Sequence, residues 1–118
     1  MRKLVLKREK VFVACLGKIR IFVEDGQGSF SLGGISCRQL GVLKNGQTGE
    51  YEIPGESVKV FVVFSKVAPQ KYYSYYQLPA GEETVELFTG PELNPGEGNP
   101  FKIFSKEDLI NLGITGGW

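Results

Sequence analysis

The chain has 118 residues, enough for one domain with a buried core and too few for two of ordinary size. Fourteen Lys and Arg against 13 Asp and Glu leave a net charge of +1, so no broad positive field exists for a phosphate backbone or anionic lipid, and nucleic acid is not an expected partner. A composition of 42% hydrophobic and 23% charged residues is that of a globular chain rather than a disordered one, and no apolar run approaches the roughly 20 residues that span a bilayer.

Short segments rich in Val, Ile, Phe and Tyr, alternating with period two and separated by Gly, Pro and Asn, predict strands almost throughout. The first two are Arg2 to Lys7 and Val11 to Leu16. Phe12-Val13-Ala14-Cys15 resembles a bacterial lipoprotein cleavage site, but a secretion signal needs about 7–15 unbroken apolar residues, and Lys7-Arg8-Glu9-Lys10 interrupts this stretch. The expectation is an uncleaved N-terminus and a cytoplasmic protein.

Lys18 to Glu24 follows, with Ile19, Ile21 and Val23 on one face, Lys18, Arg20 and Glu24 on the other, and Phe22 as the exception. Asp25-Gly26-Gln27-Gly28 reads as a turn. Cys37 to Leu43 and Gly49 to Ile53 flank Lys44-Asn45-Gly46-Gln47, and Asn-Gly tolerates the positive φ angles of tight turns, so a hairpin is expected there. Val58 to Phe64 is apolar on both faces, as befits a strand covered twice. Lys71 to Leu78, Glu83 to Phe88 and Phe101 to Phe104 complete the strands, with a turn at Leu78-Pro79-Ala80-Gly81 and an irregular, proline-rich loop from Gly90 to Pro100. The one predicted helix runs from Ser105 to Leu112, with Ser105 as cap, Asp108 three residues later and Gly113 as its stop.

Residues 1–118 therefore read as a single all-β domain, an antiparallel β-sandwich of about seven to nine strands with a short C-terminal helix; a closed β-barrel is the alternative.

Chemistry is harder to find. The chain has no histidine, which removes the commonest general base and the commonest metal ligand. Cys15 and Cys37 lie in apolar segments where burial raises a thiol pKa, and two cysteines make neither a disulfide framework nor, without histidine, a zinc site. No metal or other cofactor is expected. Glu24-Asp25, Glu50 with Glu52, and Glu82-Glu83 are candidate acid and base pairs, but each falls on a polar strand face or a turn, where solvated surface is the ordinary reading. Asp25-Gly26-Gln27-Gly28 lacks the alternating acids of a calcium loop, and Gly26-Gln27-Gly28 and Gly33-Gly34 precede extended chain rather than the helix that a phosphate loop opens.

Tyr72-Tyr73-Ser74-Tyr75-Tyr76 is the unusual feature. On a strand, Tyr72 and Tyr76 share a face with Ser74, while Tyr73 and Tyr75 share the other with Lys71 and Gln77, so one pair is expected in the core and one outside. Tyrosine joins apolar ring area to a hydroxyl at low conformational cost and suits recognition, which makes Tyr72, Tyr73, Tyr75 and Tyr76 the candidate binding residues. The C-terminal Trp118 has two readings, an indole docked in a groove or a loose end.

From Ile19 to Phe64 the succession of a strand, the Asp25-Gly26 turn, Gly41-Val42-Leu43, the Asn45-Gly46 turn, Tyr51-Glu52-Ile53 and Val58-Lys59-Val60 resembles PEGA-type modules, small bacterial β-sandwich repeats of extracytoplasmic and surface proteins. The resemblance covers under half the chain, lacks the glycine-proline that typically follows the inner strand, and implies a sandwich with binding or scaffolding duties. The functional expectation is a non-catalytic interaction module of bacterial type. Its partner would be another protein, or a second copy joined through a sheet edge. The alternative is a small-ligand binder or carboxylate-dependent enzyme with its site near the loop at residues 90–100.

Overall fold

A computed structural model describes residues 1–9, 17–64, 73–91 and 101–112. The predicted strand Val11 to Leu16, Cys15, Tyr72, most of the loop at 90–100, Gly113 and Trp118 lie outside the described residues. Nine strands and one helix follow in the order β1 (Arg2–Arg8), β2 (Ile19–Glu24), β3 (Phe30–Leu32), β4 (Ile35–Leu43), β5 (Thr48–Ile53), β6 (Val58–Phe64), β7 (Ser74–Leu78), β8 (Val85–Pro91), β9 (Phe101–Ser105) and α1 (Lys106–Leu112).

The strands form two open sheets, β5-β1-β8-β9 and β3-β4-β2-β6-β7, so the described strands do not close into a barrel. Period-two alternation puts one apolar row of each sheet into a shared core. Leu4, Leu6, Leu87 and Phe101 come from the first sheet, and Ile19, Ile21, Val60, Val62 and Phe64 from the second. Each buried aliphatic or aromatic side chain of this kind contributes about 1.5–3 kcal/mol. On β1 the inward row reads Arg2, Leu4, Leu6, Arg8, and all four are buried. The two arginines close the row at opposite ends. Arg2 donates from Nε to the Pro54 carbonyl and from Nη2 to the Glu56 carbonyl, both at 3.1 Å, and Arg8 donates from Nη1 to the Leu43 carbonyl at 2.7 Å.

Two expectations change. The antiparallel rule fails at one ladder, since β1 runs parallel to β8 from Leu4 opposite Val85 to Arg8 opposite Thr89. Side-chain alternation is the same in both directions, so it carries no information about strand polarity; the path from β7 in one sheet to β8 in the other decides it. The turn at Lys44-Asn45-Gly46-Gln47 forms, with Gln47 N donating to Lys44 O at 3.0 Å and Gly46 at φ 77°, but it does not close a hairpin. β4 pairs with β2 and β3, β5 pairs with β1, and the turn carries the chain from one sheet to the other. Asn-Gly fixes the local reversal; the buried rows that the two arms share with other strands fix the partners.

A true two-residue hairpin stands at Gly33-Gly34, between β3 and β4, where φ values of 58° and 82° give the pair of left-handed residues that a type I′ turn requires. The helix begins as expected. Asp108 N donates to Ser105 Oγ at 3.1 Å and Ser105 N to Asp108 Oδ2 at 2.9 Å, a reciprocal capping box, and α1 packs Leu109 down beside β9 and β8. No helix among the described residues is long and apolar enough to cross a membrane.

Candidate binding face

The outer face of the five-stranded sheet departs from the usual wet side of a two-layer fold. Phe22, Phe61 and Val63 point away from the shared core, yet all three are fully buried, in a second cluster with Leu32 and Cys37. The exception noted at Phe22 is therefore a core residue of a different core. A bulge in β4 makes this possible. Ile21 stands opposite Gly41 but Phe22 stands opposite Gln39, so Leu40 is an extra residue. Cys37 and Leu43 are six apart and would share a face on a regular strand; the bulge sends Cys37 to the outer cluster and Leu43 to the inner one.

The β3–β4 hairpin closes over this outer cluster. The Phe30 ring stacks on Phe22 with centroids 4.8 Å apart and planes 19° from parallel. The hairpin tip rests on Tyr73, whose hydroxyl lies where a Gly33 Cβ would be and whose ring meets Phe61 edge-on at 5.7 Å. Gly33 is thus required both for its positive φ and for this approach.

Tyr75, two residues on, has its ring 5.9 Å from that of Phe61 but is 55% exposed. Beside it, from the neighbouring strand, the Lys59 ammonium lies 5.7 Å from the Tyr75 ring centre. Arg20 holds its guanidinium 5.7 Å from Phe22 and 5.8 Å from Phe30 on the same face. The result is a rigid aromatic floor with one open ring and two cations at its margin.

The three described tyrosines of this run divide as alternation requires. Tyr76, on the Ser74 side, packs against the shared core, and Ser74 donates to the Phe101 carbonyl of β9 at 2.6 Å. Tyr73 is a half-buried support, Tyr75 is the open one, and Tyr72 lies outside the described residues. Lys59 and Arg20 escaped the sequence reading because Lys59 meets Tyr75 only across the β6–β7 ladder, and Arg20, besides Phe22 of its own strand, meets Phe30 of β3. Only the β6–β7 register, Lys59 opposite Gln77 and Phe61 opposite Tyr75, brings Lys59 to Tyr75.

The carboxylates gather elsewhere. A cleft of about 650 Å³ at one end of the two sheets is lined by Glu24, Asp25, Glu52 and Glu56 together with Arg38. Two of these acids already serve the fold. Glu24 accepts the Lys59 backbone N–H at 3.0 Å, and Asp25 accepts the Gln27 N–H at 3.0 Å and Arg38 Nε at 3.2 Å. Glu50 stands apart, 3.3 Å from Lys3 Nζ, and Glu82 and Glu83 are exposed beside the turn before β8. Among the described residues no group of three or more Cys, Asp or Glu is placed to hold a metal ion. Burial first, and the negative charge of Glu24 second, push the Cys37 thiol up from its ordinary value, which keeps it protonated and a poor nucleophile. The chain matches no family model, no curated protein and no solved structure.

Proposed function

We propose that the chain is a non-catalytic β-sandwich binding module of bacterial type that recognises another protein through the face around Tyr75. One observation carries the reading: Tyr75 is open to solvent while its ring is backed by the buried Phe61 and flanked by Lys59. An aromatic anchor already fixed before binding loses little conformational freedom on contact, which is what makes tyrosine effective in recognition surfaces. Lys59 and Arg20 suit a partner that sets a carboxylate beside an apolar side chain. The resemblance of residues 19–64 to PEGA-type modules supports the same duty. An enzymatic role for the carboxylate cleft has less support, because Glu24 and Asp25 spend their oxygens on backbone N–H groups and Arg38.

The test is capture of partners by tagged protein, comparing the native chain with Tyr75→Ala and Lys59→Ala. Ile110→Ala, at an exposed isoleucine on α1, serves as the surface control. Selective loss of a partner in the first two variants, with unchanged melting, supports the reading. An identical set captured by all four proteins removes it.

A further inference from the structure

The four edge strands among the described residues are not equally protected. β5 carries Glu50 and Glu52, β9 carries Lys102, and β3 is only three residues long, all features that discourage strand addition. β7 differs. Its five residues, Ser74 to Leu78, contain no charge and no proline, and among the described residues it pairs with β6 on one side and with no strand on the other.

The backbone of β7 is also set for pairing. The Ser57 hydroxyl reaches the Leu78 carbonyl at 3.0 Å from the β6 side, so by strict alternation Leu78, Tyr76 and Ser74 turn their N–H and C=O groups inward. Tyr75 and Gln77 turn theirs outward. We propose that two copies of this chain pair antiparallel through β7, about a two-fold axis at Tyr76, and join their five-stranded sheets into one. In that register Tyr75 faces Gln77 of the second copy, and each such pair exchanges backbone hydrogen bonds. Ser74 faces Leu78, Tyr76 faces itself, and no like charges meet along the seam. Residue for residue, the edge is complementary to itself, which is the requirement of a two-fold interface.

The pairing also has a consequence for the outer face. The Tyr75 rings of the two copies become diagonal neighbours, within reach for aromatic side chains, each still flanked by its own Lys59. The self-association stands independently of the binding role proposed for Tyr75, since it rests on the edge rather than on the ring.

Sedimentation velocity on the full chain over a concentration series, with amide hydrogen exchange at both ends of that series, tests the proposal. The expected result is a monomer to dimer shift, with exchange at the Tyr75 and Gln77 amides slowing in step. Gln77→Pro removes an outward N–H and is compatible with an edge strand, so the folded variant stays monomeric. If that variant fails to fold, the exchange pattern of the native chain still decides. A chain that stays monomeric throughout, a dimer whose Tyr75 and Gln77 amides are no better protected than the monomer's, or a folded Gln77→Pro variant that still dimerises would each overturn it.

Discussion

Phe61→Ala separates a true second core from a surface covered by chance. Phe61 lies on the central stretch of β6, faces away from the core shared by the two sheets and has no exposed area. Its ring contacts those of Tyr73 and Tyr75, and its cluster includes Phe22, Leu32, Cys37 and Val63. Removing a phenyl group from a site that cannot collapse costs about 3–5 kcal/mol. The cluster is bounded by the sheet on one side and by the β3–β4 hairpin on the other, so relaxation is limited and the upper half of that range applies. Against a total stability of about 5–15 kcal/mol for a domain, the loss is large. At this chain length each kcal/mol lowers Tm by roughly 3–5 °C, so a fall of roughly 12–25 °C is expected. Urea unfolding followed by circular dichroism gives the free energy directly, with Phe61→Leu, which removes less volume, expected to cost less than the alanine variant. A loss below about 1 kcal/mol for the alanine variant would mean that water reaches the site, and the reasoning about a closed outer cluster would fail.

Three further outcomes follow from particular contacts. Arg2→Met keeps the bulk of the side chain but strands the Pro54 and Glu56 carbonyls; the expected cost is about 2–4 kcal/mol by denaturant unfolding, and a cost under about 1 kcal/mol would show that water replaces the guanidinium. Gly33→Ala combines about 1–2 kcal/mol of left-handed backbone strain with a clash against the Tyr73 hydroxyl, so Tyr73→Phe should recover part of the loss in a double-mutant cycle and leave the backbone part. With Cys15→Ser as background, Cys37 should resist thiol reagents near neutral pH until the chain unfolds. Its folded pKa is raised, so this linkage leaves stability intact below the unfolded thiol pKa and erodes it as pH rises through the folded one, an alkaline loss that Cys37→Ala should reduce.

Much of the architecture was legible because strands announce themselves by period two and by the residues between them. The capping box at Ser105 and Asp108, the turn glycines at 33 and 34, and the two-faced burial of Val58–Phe64 all follow from local rules. The partition of the tyrosines was also local, since neighbours on a strand must face opposite sides. What alternation could not supply was the identity of each strand's neighbour. Asn45-Gly46 carries the signal of a hairpin, and nothing in those four residues distinguishes a turn that folds one sheet back on itself from one that changes sheets.

The outer face shows why the site itself was harder to read. Its floor depends on one extra residue, Leu40, which reverses the parity of β4 and lets Cys37 and Leu43 serve opposite cores. On sequence, Phe22 therefore looked like a break in an otherwise regular pattern, and Cys37 like an inert thiol in an apolar strand. Neither suggested a second apolar cluster. Yet that cluster is what turns Tyr75 from an ordinary exposed ring into a supported one. Exposed aromatics are common on folded chains and mean little alone. An exposed ring backed by a buried one, held by a hairpin whose tip is seated on the preceding tyrosine of the same face, has its orientation settled before any partner arrives. The argument for recognition thus passes through the bulge, and a variant lacking Leu40 would lose the face before it lost the strand.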